Sequence, residues 1–392
     1  MAGSHAVAGR LSVRRLPVSG PLPASGGNLQ SACAGTGPGR DGRKNMHHLK
    51  TAAAVAALAG AVLWSASASA KIEMKLAHFV TPKHSFSQWL ARWAKEVEQK
   101  SGGEIAFKVF PGAQMGPPPK YYDIARTGRA DVTWSVHGFT PGRFPLTEMS
   151  NMPFLIGSAE IGTKVLNDAG LRAKYLDGEH KGVKVLVLLT HQPGNIHTAK
   201  KPVRTTADMK GLRLRFASQT IRDFIRALGA TPRGLPPTQI VEQMQKGTLD
   251  GAFIDYGGAG IAFRMGPVTK YTTEMYSYVA SFSVNMNAKR YDSLSAKLKK
   301  VIDDSVTGRE KEIGHEWDKL DAIGKKIMMK AGMTPIQLSD AEAKKFRDVG
   351  AKVTEARIAA LEKKGLPARA VYTMMKALAA KHEKTSRNFL RN

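Results

Sequence analysis

The chain has 392 residues, 42% hydrophobic and 23% charged, a composition that excludes a disordered polymer and suggests about two domains. Its single cysteine, Cys33, excludes an internal disulfide. The formal charge of +27 attracts anions of every kind, so small acids, lipid headgroups and nucleic acid all remain open on charge alone.

Residues 1–45 are poor in structure-forming residues and read as an over-extended gene start, with Met46 as the true one. From Met46 the chain reads "MHHLKTAAAVAALAGAVLWSASASA". Lys50 and two histidines precede an apolar run of 13 residues, Ala52 to Trp64, and Ala68-Ser69-Ala70 forms an A-x-A site. This is the layout of a secretory signal peptide, and the run is short for a membrane span. Cleavage after Ala70 is expected, leaving 71–392 as a periplasmic mature chain; an uncleaved anchor is the alternative.

The mature part opens with alternation over Lys71–Val80, which predicts a strand ending in a Thr-Pro turn. Ser85–Lys100 carries Phe86, Trp89, Leu90, Trp93 and Val97 at helical spacing, with Ser85 as a cap and "SGG" as a stop. A strand at Ile105–Phe110, a helix at Tyr121–Thr127 and a strand in "GRADVTWSV" follow. This alternation implies a parallel sheet with ligand loops at strand C-terminal ends.

Further strands are expected at Lys184–Leu189, Leu212–Phe216, "TLDGAFIDY" and Ser281–Met286, with helices at Gln219–Leu228 and Thr238–Gln245. From Ser295 onward the pattern is mostly helical. Two α/β units followed by helices fit two lobes around a cleft, where small ligands bind. Leu212, Leu214 and Phe216 alternate with Arg213 and Arg215, so a strand puts both guanidinium groups on one face. Either both are solvated or one meets an anion in the cleft.

Catalytic motifs are missing. There is no G-x-S-x-G or H-E-x-x-H, and no cysteine after Cys33 to supply a thiol nucleophile. The histidines at 78, 84, 137, 180, 191, 197, 315 and 382 never pair at i, i+4 on a helix or as H-x-H, which argues against zinc. "GGAG" at 257–260 lacks the third glycine of a dinucleotide turn, Phe263 standing there. Basic runs such as "KLKK" and "GKKIMMK" read as solvated helix faces with no nucleic-acid motif. No cofactor is expected.

Five stretches carry a resemblance: "KLAHFVTPKHSFSQWLARWAKEVEQKSGGEIAFKVFPGAQMG", "GRADVTWSVHGFTPGRFPLTEMSNMPF", "KPVRTTADMKGLRLRFASQ", "LGATPRGLPPTQIVEQMQKGTLDGAF" and "NAKRYDSLSAKLKKVIDD". In this order they make the mature chain resemble the DctP-type substrate-binding proteins of TRAP (tripartite ATP-independent periplasmic) transporters. The resemblance implies a two-lobed α/β fold of the periplasmic-binding-protein kind, with discontinuous lobes and long C-terminal helices spanning both. Lobe one would be 71–193 plus 282–321. Lobe two would be 194–281, with 322–392 supplying further lobe-two and spanning helices. It further implies a monomeric receptor that delivers a small organic acid to the small and large membrane subunits of a TRAP permease. A periplasmic enzyme or a sensory receptor acting on a small organic anion is the alternative.

The resemblance also implies site residues. The family's carboxylate-gripping arginine falls on Arg215, at the end of the strand where it enters the cleft, while Arg213 stands where the family often has a surface lysine. A guanidinium holds a carboxylate through two parallel charge-assisted hydrogen bonds. Ser218 falls where members often place a polar ligand contact. Phe79, Pro118, Val136, Pro237 and Ile254 replace polar, acidic or aromatic contacts of the sialic-acid-binding branch, which argues against a polyhydroxy sugar. Tyr256 stands where a related branch carries tryptophan, and it either stacks on the ligand or packs in the core. Asp255 would repel a second carboxylate, which favours a monocarboxylate. His78, His137, Phe139 and Gln192, in loops after predicted strands, are further candidates for the cleft wall.

Overall fold

The computed structural model describes residues 71–391. The expectations for the leader, its cleavage after Ala70 and Cys33 lie outside the described residues. Two sheets organise the chain. The first has the order β2-β1-β3-β10-β4, with β1 Ile72–Ala77, β2 Ile105–Phe110, β3 Val132–Val136, β4 Val183–Thr190 and β10 Ser281–Asn287. The second has the order β11-β9-β5-β8-β6-β7. Its strands are β5 Gly194–Thr198, β6 Arg213–Phe216, β7 Thr231–Gly234, β8 Gly251–Ile254, β9 Tyr271–Tyr278 and β11 Thr334–Gln337.

The opening strands β1, β2 and β3 pair in parallel, as the alternation implies, but neither sheet is parallel throughout. β10 runs antiparallel to β3 and β4, and β5 runs antiparallel to β8 and β9. The reason is where the chain changes sheets. It leaves β4 at Thr190 and enters β5 at Gly194; it returns from β9 at Tyr278 to β10 at Ser281. A strand that enters its sheet from the gap between the sheets must run against strands that end there.

Helix α1, Ser85–Lys100, buries Phe86, Trp89, Leu90, Trp93 and Val97 against the first sheet, the face its periodicity predicts. Its cap is His84 rather than Ser85: His84 has extended backbone, and its Nδ1 accepts the Phe86 N–H at 3.1 Å. Ser85 already lies within the helix and cannot serve. The stop falls as expected, with Gly102 and Gly103 at φ +67° and +83°.

Four strands escape sequence reading: β5, β7, β9 and β11. In β9, "YTTEMYSY", three buried polar side chains have partners. Thr272 pairs with His197, Thr273 donates to the Val203 carbonyl, and Glu274 accepts from Tyr256. Lys325 of "GKKIMMK" also ion-pairs with buried Glu274, so this basic run is not purely a solvated face.

Two helix contacts set up the site. Helix α2, Ala159–Leu166, packs on helix α3, Glu310–Asp318, and the Asp318 carboxylate accepts the Ala159 and Glu160 N–H groups at 2.7 and 3.0 Å. Burial pushes the Asp318 carboxyl up to about 7. Helix α4, Asp340–Glu362, places Phe346 and Val353 in the core beneath the second sheet. Its Ile358 and Leu361 lie in a core with α2 and the first sheet's Leu188. One helix thus serves both halves, and Gly350 at its middle rests against Pro153 and Phe154.

The α2–α3 contact is tight enough to test. A Cβ on Gly314 would sit 2.3 Å from the Glu160 Cα, whereas one on Gly178 meets nothing within 4 Å. Denaturant unfolding should show Gly314→Ala destabilised by about 1–3 kcal/mol or more. Gly178→Ala should stay within about 0.5 kcal/mol of the parent. Equal stability of the two variants would show that the helices are looser than this.

Candidate ligand-binding site

The two crossings run side by side. Ser281 of β10 pairs with Thr190 of β4, and Gly194 of β5 pairs with Tyr278 of β9. Between them His191 Nε2 accepts the Ala280 N–H at 3.0 Å, stitching one crossing strand to the other. Its Nδ1 therefore carries the proton and donates to the Gln192 carbonyl. Burial holds the imidazole below its ordinary pKa, against the opposing pull of Asp255, whose carboxylate lies 3.9 Å away.

A cavity opens beside the crossings, with about 50 Å³ available to the centre of a water-sized sphere. Its first wall comes from the first sheet and its helices: Phe79 and Val80 after β1, His84, Trp134 and Val136 of β3, Phe139, Phe282 of β10 and Trp317 of α3. The opposite wall is Arg215, Ala217, Pro237, Ile254, Asp255, Gly258, Phe263 and Tyr278. His191 and Ala280 close the end. The walls touch across the cleft, since a Cβ on Gly138 would lie 2.1 Å from the Ala217 carbonyl oxygen.

The first wall is aromatic and fixed. Phe79 stacks on Trp134 at 4.8 Å and Phe282 on Trp317 at 5.5 Å. Trp317 is held in place by its neighbour Asp318, which is bonded to the start of α2. His84 lies 5.1 Å from Trp317, and burial, with His78 beside it, lowers the His84 pKa to about 3.

Arg215 is 3% exposed. Its Nε donates to the Leu235 carbonyl at 3.1 Å and an Nη to the Phe253 carbonyl at 3.3 Å, so its named partners are neutral. Burial lowers its pKa below the ordinary arginine value, opposed by Tyr278 and Asp255. Arg213 differs although it is on the same strand. Its guanidinium grips Asp250 through two bonds of 2.8 and 2.7 Å and donates to the Gly247 carbonyl. The strand separates them: Arg215 reaches the cavity end of β6, and Arg213 is occupied at the other.

Of the residues singled out from sequence, Arg215, Asp255, Phe79 and Phe139 line the cavity, as do Val136, Pro237 and Ile254. Asp255 Oδ1 accepts the Gly258 N–H at 2.7 Å. The remaining candidates are not on the wall. His78 bonds to Ser87 at 3.0 Å. His137 lies in a relay in which Ser281 donates to its Nδ1 and its Nε2–H points to His180, which in turn donates to the Leu176 carbonyl. Tyr256 packs edge-on to His197 and donates to Glu274 at 2.8 Å. Ser218 and Gln192 are buried next to lining residues, and Pro118 is buried at the start of a short 3₁₀ turn.

His84, Trp134, His191, Tyr278, Phe282 and Trp317 went unnoticed. Trp134 was within reach, because it shares a strand face with Val136. Trp317 was not, since it reaches the cavity from a helix remote in sequence.

The model of the DctP family, described as bacterial extracellular solute-binding protein, family 7, matches residues 76–360. A solute-binding protein of Albidiferax ferrireducens is 27% identical over 277 residues, 66% of this chain and 77% of its own length. A TRAP solute-binding protein from Rhodoferax ferrireducens, solved in complex with copurified benzoate, is 30% identical with a TM-score of 0.77, covering 81% of this chain and 100% of that one. A marine metagenome TRAP solute-binding protein from an unidentified microbe, specific for aromatic acid ligands and bound to metahydroxyphenylacetate, is 30% identical. Its TM-score is 0.76, with 80% of this chain and 100% of that one covered.

The low pKa of His84 leads to a direct test. Side-chain histidine NMR should show His84 neutral from pH 8 down to pH 5. Its protonation near pH 6.5, the ordinary value, would mean that water reaches the ring.

Proposed function

The chain belongs to the DctP family of bacterial extracellular solute-binding proteins, and from that premise we propose that it is an extracytoplasmic receptor for a small aromatic monocarboxylate. The observation that carries this reading is Arg215, a buried guanidinium bonded to two neutral carbonyls at the edge of an aromatic cavity. A carboxylate there would return the charge compensation lost on burial, through a two-pronged contact. The stacked walls suit a flat ring. Asp255 makes a second carboxylate unfavourable, and the apolar wall would leave sugar hydroxyls unpaired.

Delivery of this ligand to a TRAP permease completes the reading. The signal-like segment 46–70 supports export, and the exported protein should begin at Lys71; N-terminal sequencing that finds Met1 would refute this. Recovery of the ligand unchanged after incubation separates a receptor from an enzyme.

In a thermal-shift panel, aromatic monocarboxylates should stabilise the protein and neutral sugars should not. Ligand at about 100 times its Kd adds roughly 2.7 kcal/mol, or about 4 °C for a chain of this size. Arg215→Ala should then weaken binding by about 2–5 kcal/mol, on the order of thirty- to several-thousand-fold. Arg215→Lys should recover part of that loss, because the charge survives without the fork. Arg213→Ala should leave affinity nearly unchanged. Calorimetric titration decides, and equal losses at the two arginines would sink the single-clamp reading.

A further inference from the structure

Among the described residues are four tryptophans, and they fall into two pairs. Trp89 and Trp93, away from the cavity, donate their indole N–H groups to Glu312 and Ser305 at 2.9 and 2.8 Å. Trp134 and Trp317, on the cavity wall, have indole N–H groups that are buried and without a protein partner. The Tyr278 hydroxyl, also on the wall, has none either. The three side chains are 1%, 3% and 2% exposed. Buried tryptophan and tyrosine donors are normally paired, and an unpaired one loses its solvation without return. That the partnerless indoles are the ones on the cavity points to an acceptor supplied by what the cavity holds.

The donors sit on opposite walls. Tyr278 shares the wall and the electrostatic environment of Arg215, so it extends the carboxylate end. The indoles belong to the facing wall, with ring centroids 5.8 Å apart. A carboxylate that turns both oxygens to the Arg215 fork has neither turned to the facing wall. An indole N–H can only donate, so the group it meets must accept. Asp255 on the same cavity makes a second anion the wrong acceptor.

We infer that the ligand carries, besides its carboxylate, a neutral oxygen on its ring (a hydroxyl or a keto group) that accepts from the Trp134 and Trp317 indole N–H groups. The inference rests on the carboxylate-receptor reading above and names which acids within that class are preferred.

The test is calorimetric titration of the mature protein with benzoate and phenylacetate, each unsubstituted and with a hydroxyl or a methyl at every ring position. At least one hydroxy acid should bind tenfold or more tighter than both its methyl counterpart and the unsubstituted acid. In Trp134→Phe and Trp317→Phe, which keep an aromatic ring and lose the donor, the hydroxyl-to-methyl affinity ratio should fall towards one. Thermal unfolding verifies that each variant is folded, and the wild-type ratio decides by itself if one is not. Hydroxy and methyl acids binding alike would overturn the inference and leave the receptor reading standing. A preference that survives both substitutions at full size would overturn the assignment to the indoles. Binding of no aromatic acid at all would overturn the receptor reading itself.

Discussion

The architecture depends on a narrow constraint: two of the chain's passages between its sheets, the short ones at residues 191–193 and 279–280, lie beside each other. Because the strands flanking both passages meet the gap, their ends converge on one place. β3, β6 and β8 deliver side chains from their C-terminal ends, and β10 delivers Phe282 from its start. The bond from the Ala280 N–H to His191 holds the two passages in register. A neutral, buried imidazole suits this task, since protonation of Nε2 would remove the acceptor.

Arg215 draws its value from the same convergence. A guanidinium in water gains little from a carboxylate, because solvent screens both. Set among rings and bonded to neutral carbonyls, a guanidinium is screened less, so its attraction for an anion brought beside it is stronger. Arg213 shows the contrast within one strand. Its charge is already committed to Asp250, whose carboxyl is held below its ordinary range by that contact.

Much of the first sheet was legible because its segments obey simple periods, as α1 and β2 do. The second sheet was harder to read. β5 reads "GNIHT" with all five residues buried, and with Ile196 as its one large apolar residue it offers no apolar run to detect. Thr272, Thr273 and Glu274 of β9 find their partners at His197, Val203 and Tyr256, and only the fold can reveal such partners. The site divides in the same way. Arg215 and Phe79 belong to recognisable segments near strand ends, whereas Trp317 and Tyr278 join the wall through long-range packing. His137 and Tyr256 look like site residues in sequence because they follow strands, yet each is absorbed into hydrogen bonds away from the wall.

Helix α4 has a mechanical consequence. Its 23 residues make a rod of about 34 Å, anchored in one core by Phe346 and Val353 and in the other by Ile358 and Leu361. Gly350 lets the Pro153–Phe154 loop press against its midpoint like a fulcrum. A rod seated at both ends ties the spacing of the two cores to its own straightness: any change in that spacing would have to bend it or shift it in one of its sockets.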